Sequence, residues 1–173
     1  MDTIWGNIFR SDAGPNDPLA VLKTVPIFAR LSRRQLQSVE KILHTRRYTP
    51  GEVIFRQGDP GVGMYIIARG RVTISQEPDD TPIAELGEGD FFGEIALLNE
   101  RPRSATAVAA ESTTLFGFFQ PDLLSILERQ PRIGVIVLRG LAEIAGERLL
   151  RTEGKLRECQ RALPPVEGAE ART

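Results

Sequence analysis

From Glu52 to Phe119 the sequence reads as short segments separated by turn signals at Gly58-Asp59, Gly70, Pro78-Asp79-Asp80 and Gly87 to Asp90. That punctuation leaves no room for long helices and predicts short strands in a closed or double-sheet β-roll. Within the stretch, Val72 and Ile74 alternate with Arg71, Thr73 and Ser75, which gives one apolar and one polar face. Met64 to Ala68 and Leu115 to Phe119 are nearly continuous apolar runs and suit strands buried on both faces.

The period changes on either side of this block. Leu19 to Phe28 carries apolar residues at mixed spacing, and Ser32 stands where an N-cap should precede RRQLQSVEKIL, whose Leu36, Val39, Ile42 and Leu43 share one helical face. His44 follows on the same predicted helix, and Thr49-Pro50-Gly51 breaks it. Pro121 and Asp122 open a helix through Glu128 that Pro131 ends. A last helix is expected from Ile133 to about Ala162, with Leu138, Leu141, Ala145, Leu149, Thr152, Leu156 and Cys159 near three-four spacing. Gly134, Gly140, Gly146 and Gly154 each weaken that helix by about 1 kcal/mol relative to alanine, so it needs a surface to pack on.

Composition narrows the function classes. At 173 residues with 41% apolar side chains the chain fits one α+β domain with a helical appendage. The 22 basic and 23 acidic residues nearly cancel, so no global field attracts nucleic acid or an anionic membrane. The single cysteine, Cys159, rules out an intramolecular disulfide and a cysteine-built metal centre, and one histidine, His44, makes metal catalysis a poor fit. The N-terminus lacks the basic start and apolar core of a signal peptide, and no segment approaches the roughly 20 apolar residues of a membrane span. A cytoplasmic, non-enzymatic protein is the expectation. Ile4, Trp5, Ile8 and Phe9 form a small apolar face before the loop SDAGPNDP, read as docking on the domain's own surface, with a partner or membrane contact as the alternative.

The chemistry concentrates in FGEIALLNERPRSATA, Phe92 to Ala107. Gly93 allows close backbone approach, and the first amides of a short helix from Glu94 to Leu98, including those of Ile95 and Ala96, are suited to an anion. Arg103 adds a planar, permanently charged fork, and the small Ser104 and Ala105 let their own amides approach the same oxygens. Glu94 repels an anion, so it belongs there only if it accepts a hydroxyl hydrogen bond, as from a ribose, or pairs with a nearby arginine. Arg101, held extended by Pro102, is expected to be solvated.

This segment resembles the phosphate-binding cassette of the cyclic nucleotide-binding domain family, which serves the regulatory subunits of cyclic-AMP-dependent kinase, cyclic-nucleotide-gated channels and the bacterial catabolite activator proteins. The resemblance extends to GEVIFRQGDPG at Gly51 to Gly61 and MYIIARGRVTI at Met64 to Ile74, and covers roughly Leu22 to Leu156. It implies an eight-stranded, jelly-roll-like β-roll flanked by short N-terminal helices and a long C-terminal helix. The implied parts are an N-terminal extension (1–18), the nucleotide-binding domain (19–131), a lid or dimerisation helix (132–162) and a disordered tail (163–173). The implied ligand is cAMP or cGMP, with no further cofactor and no metal. Its phosphate would rest on Arg103 and main-chain amides, its ribose on Glu94, and its base against Ile74 and Leu86, which are equally ordinary core positions. Ser104 leaves both bases open. Thr152 stands where the activators have an adenine-contacting threonine on the long helix, and Glu153 departs from the serine that follows it there.

The chain ends within about 20 residues of that helix, which leaves no room for a DNA-reading helix-turn-helix. A stand-alone receptor, whose last helix moves and is read by an unknown downstream protein, is therefore the expected function. A nucleotide-free docking module and an enzyme on a cupin-like roll are the alternatives. Leu138, Leu141, Ala145 and Leu149 allow either a parallel homodimer seam or a lid over the chain's own pocket, and Cys159 would cross-link such a dimer on oxidation. Arg139, Arg148, Arg151 and Arg157 read as a solvated helix face.

Overall fold

The computed structural model describes residues 17–162 apart from 79, 80 and 100, so the Trp5 face and the C-terminal tail lie outside the described residues. Helix α1 (Pro18–Thr24) starts under an Asp17 side-chain cap, and a 3-10 turn (Pro26–Phe28) follows it. Helix α2 (Arg33–Glu40) opens on a full capping box, Ser32 accepting from the Gln35 amide while the Gln35 side chain takes the Ser32 amide.

Eight strands come next in two four-stranded antiparallel sheets: β1 (His44–Tyr48), β2 (Val53–Phe55), β3 (Gly63–Arg69), β4 (Val72–Gln76), β5 (Thr81–Leu86), β6 (Phe91–Phe92), β7 (Thr106–Ala109) and β8 (Thr113–Phe119). One sheet runs β1-β8-β3-β6 and the other β2-β7-β4-β5. Helix α3 (Ile95–Leu98) interrupts the strands after β6, and α4 (Gln120–Arg129) and the long α5 (Pro131–Ala162) close the chain.

Strands β3 and β8 are the centre of the first sheet and, as their unbroken apolar runs predict, are buried on both faces. Met64, Ile66, Phe116 and Phe118 point to a helical side shared with Leu22, Phe28, Leu36, Leu123, Val137 and Leu141. Ile67 and Leu115 point inward to the roll, where they meet Val72, Leu86, Phe92 and Ala107. The alternating period of a strand thus divides one apolar run between two cores.

Three expectations change. The helix ends at Glu40, and His44 opens edge strand β1, in register with β8 from His44 opposite Gly117 to Tyr48 opposite Thr113. HTRRY has no apolar alternation to announce a strand, and pairing with β8 overrides its local text. Pro131 begins α5 rather than merely ending α4, which suits a residue with no amide to donate. The proposed seam is also divided: Leu141 is wholly buried in the chain's own core and Leu138 packs against it, whereas Ala145 and Leu149 are exposed. The proximal half of α5 is therefore spent on its own domain. There Gly140 lets the helix press on the 3-10 turn, because a Cβ would stand 2.7 Å from the Ile27 Cα.

Candidate functional site

Strand β6 delivers the chain to Gly93, whose φ of 77° lies in the left-handed region. A side chain here is strained by the backbone, and its Cβ would also collide with Nη1 of Arg103. Glu94 then caps α3 without a side-chain bond to it. The Ala96 amide donates to the Gly93 carbonyl (3.2 Å) and the Leu97 amide to that of Glu94 (3.0 Å), so the helix's own turn engages these two.

Arg103 is fixed from its backbone outward. Its amide donates to the Asp59 carbonyl (2.8 Å) and its carbonyl accepts from the Gly58 amide (2.9 Å), while the Asp59 carboxylate holds the Arg56 amide (2.7 Å). The turn predicted at Gly58-Asp59 therefore positions the arginine. Its side chain runs inward and is only 7% exposed. Nη1 donates to the Gly93 carbonyl (3.3 Å), and the guanidinium lies 4.1 Å over the Phe55 ring and 6.0 Å from that of Tyr65. Nε is buried and has no hydrogen-bond partner, and no carboxylate among the described residues makes an ion pair with this group. Burial pulls the guanidinium below its ordinary pKa, and Tyr65, Asp59 and Glu94 push back.

Below the arginine lies an aromatic floor that the sequence reading did not single out. Phe55, Tyr65 and Phe92 stand with ring centroids 5.7 to 6.1 Å apart. The signal was available, since Phe55 and Tyr65 sit in the two segments that extend the resemblance and both lie in strands. Tyr48 joins them from β1, its hydroxyl pushed up to about 12 by burial first and then by Tyr65. Ile74 and Ala84 line the same interior with Leu86, which is 4% exposed. Ala96 is buried, Ala105 half-buried, and Ile95 and Ser104 exposed, the Ser104 carbonyl accepting from Gln76 (3.4 Å). Arg101 is exposed.

Glu94 is the surprise of the site. Its carboxylate side chain is 5% exposed and pairs with Arg148 of α5, whose guanidinium also stands 5.6 Å from the Phe91 ring. Of the two roles left open for Glu94, the arginine partner is the one the fold supplies. This corrects the reading of Arg148 as a solvated residue: it is half-buried, and the contact spans 54 positions that no local spacing reveals. Arg139 and Arg157 instead pair along the exposed helix with Glu143 (3.1 Å) and Glu153 (3.9 Å). Thr152 is exposed and its hydroxyl donates to the Arg148 carbonyl (2.9 Å), one turn beyond the ion pair.

The structure thus joins Arg103 to Gly93, beside Glu94, and to the Phe55, Tyr65 and Phe92 rings, which share their interior with Ile74 and Leu86, and leaves Thr152 on the outer helix. Among the described residues there is no group of three His, Cys, Asp or Glu able to hold a metal ion, and no helix long and apolar enough to cross a membrane.

Comparison with known proteins identifies the family of this fold. The model of the cyclic nucleotide-binding domain matches residues 45–130. The cyclic AMP receptor protein of Thermus thermophilus is 34% identical over 138 residues, 78% of this chain and 62% of that protein. A putative potassium channel protein of Rhodopseudomonas palustris is 38% identical over 115 residues, 66% of this chain but 28% of that protein. The chain therefore spans less than two thirds of the length of these relatives. Among solved structures, the N-terminal domain of a transcriptional regulator from Streptomyces coelicolor superposes with a TM-score of 0.68 at 26% identity, covering 86% of this chain and 99% of that one. The two-sheet roll, the Gly93 to Arg103 cassette and these matches together make the chain a member of the cyclic nucleotide-binding domain family.

Proposed function

We propose that this domain is a non-enzymatic receptor for cAMP or cGMP and relays occupancy through α5 to a partner protein. One observation carries the reading: Arg103 is buried as a cation with an unpaired Nε and no carboxylate partner among the described residues. A buried charge left so costs several kcal/mol, and a phosphodiester would supply both the countercharge and the missing acceptor. Gly93 keeps the backbone clear beside the guanidinium. Ile74, Leu86 and the Phe55, Tyr65 and Phe92 floor offer the apolar surface a base needs, and the Glu94 carboxylate suits a ribose 2′-hydroxyl.

The cyclic AMP receptor protein of Thermus thermophilus carries in its name the ligand we assign. Both its length and that of the channel relative exceed the matched region, so the downstream partner, any homodimer through the distal part of α5, and a cytoplasmic location remain parts of this proposal. Thr152 would reach a base only across a partner copy or after α5 moves. Isothermal titration with cAMP, cGMP and linear AMP tests the assignment. Saturable binding of a cyclic nucleotide with linear AMP at least tenfold weaker is expected, and no binding of either cyclic ligand at millimolar concentration would refute it.

A further inference from the structure

Strand β8 turns Leu115 toward the roll interior and its aromatic floor, and turns Thr114 and Phe116 to the opposite face, which the helices share. Over that second face opens a cleft of about 490 Å³, lined by Thr114, Phe116, Ala68 and, from α1, Val21. This lies within the range of roughly 300 to 1,000 Å³ found for pockets that take a guest. Arg47 of β1 and Arg69 of β3 pair with Thr114 from its two sides and also line the cleft, about 10 Å apart at their backbones. Both are exposed, and neither makes an ion pair with a described residue. Asp17, where the described chain begins, stands in the wall of the same cleft.

We propose that this cleft seats the chain's own N-terminal segment, the apolar residues Ile4, Trp5, Ile8 and Phe9 covering its floor and their rings meeting Arg47 and Arg69. The place of attachment selects this occupant. The segment enters the domain at Asp17, so the cleft is the first concave surface it meets. The eight residues from Phe9 to Asp17 span up to about 26 to 29 Å, enough to lay the apolar face anywhere in the cleft. A tether this short holds the segment at an effective concentration of about a millimolar, so contacts too weak to capture a free peptide suffice to keep it docked. The chemistry matches as well. The floor offers the apolar Val21, Ala68 and Phe116, and a ring above Thr114 has an arginine on each side, within reach of the roughly 6 Å of a cation–π contact. Asp2 and Asp12, which flank the apolar residues, bring the anions that the two arginines lack. Because the cleft and the Arg103 site lie on opposite faces of the sheet, this docking does not depend on the receptor reading.

Trp5 is the sole tryptophan, so fluorescence of the full chain reports on this segment alone. Its emission should be blue-shifted and at least about threefold less quenched by acrylamide than in urea, independently of protein concentration. Arg47→Glu combined with Arg69→Glu reverses two exposed charges in the cleft and should return Trp5 most of the way to its quenching in urea, while Arg34→Glu, an exposed residue outside the cleft, leaves it shielded. Circular dichroism checks that each variant keeps its fold. A cross-link gives the same answer without disturbing the arginines: with Cys159→Ser, mild oxidation of Ile8→Cys paired with Ser112→Cys should close a disulfide within one chain, and Ile8→Cys paired with Thr81→Cys, on the edge strand of the other sheet, should not. Four results would overturn the proposal: Trp5 as open to quencher in the native chain as in urea, shielding that survives the double reversal, shielding that fades on dilution and so belongs to a second copy, or shielding that appears only with anionic lipid vesicles. Should the double reversal fail to fold, the cross-link decides, and its absence, or equal closure with position 81, would refute the docking.

Discussion

Replacing Arg103 by methionine separates function from stability, because the arginine is expected to hinder the fold that carries it. In the protein alone its gains are a stack on Phe55 at 4.1 Å, worth about 0.5 to 2 kcal/mol, and a long bond to the Gly93 carbonyl at 3.3 Å, worth about 1 kcal/mol or less. Against these stand the unmade hydrogen bond of buried Nε, about 1 to 3 kcal/mol, and the desolvation of an unpaired charge, which amounts to several kcal/mol even after relaxation. Methionine keeps an unbranched apolar stem over the same ring and has no charge to desolvate. Arg103→Met should therefore be neutral to about 2 kcal/mol more stable than the parent without nucleotide, which for a domain of this size is a rise of up to about 8 °C in Tm. Binding of cAMP should fall below detection in the same preparation. Differential scanning calorimetry and urea titration give the first quantity, isothermal titration the second. A variant that melts more than about 4 °C below the parent would show that Arg103 serves the fold, and the argument from its unmet charge would fail.

Two further expectations concern the rest of the domain. Gly140→Ala should destabilise by more than about 1 kcal/mol, since the new methyl meets the Ile27 backbone, whereas Gly154→Ala, with open space around it, should stabilise by up to about 1 kcal/mol; urea titration of the pair reads both signs. Asp90, raised above its ordinary pKa by burial and only partly relieved by the Gly87 amide at 2.8 Å, is costly when ionised. Because its folded pKa lies above the unfolded one, its contribution is most favourable in acid and is lost as pH rises through the folded pKa. Asp90→Asn should therefore melt at least as high as the parent at pH 7, with any advantage shrinking as the pH is lowered toward 4; an advantage that grows in acid would contradict the sign.

Much of this architecture is legible in the sequence because it is written in local signals. Ser32 announces its N-cap, the runs at Met64 and Leu115 announce buried strands, and Gly58-Asp59 announces the turn that holds the Arg103 backbone. What escaped was set by contacts between distant segments. His44 to Tyr48 becomes a strand through its partner β8, and nothing in HTRRY competes with the helical text before it. Arg148 looks like any arginine of an exposed helix until the fold carries it to Glu94, 54 positions away. Leu141 was legible as an apolar face, but whether that face meets its own core or another chain depends on where α5 docks.

The central claim is that the unpaired Nε of Arg103 is met by the ligand's phosphate, and the nitrogen and proton resonances of that one group report it directly. With the Arg103 side chain assigned by comparison with Arg103→Met, titration with cAMP should move the Nε–H signal downfield and slow its exchange with water, saturating in step with the calorimetric binding curve. Saturable binding that leaves this signal in place would contradict the account.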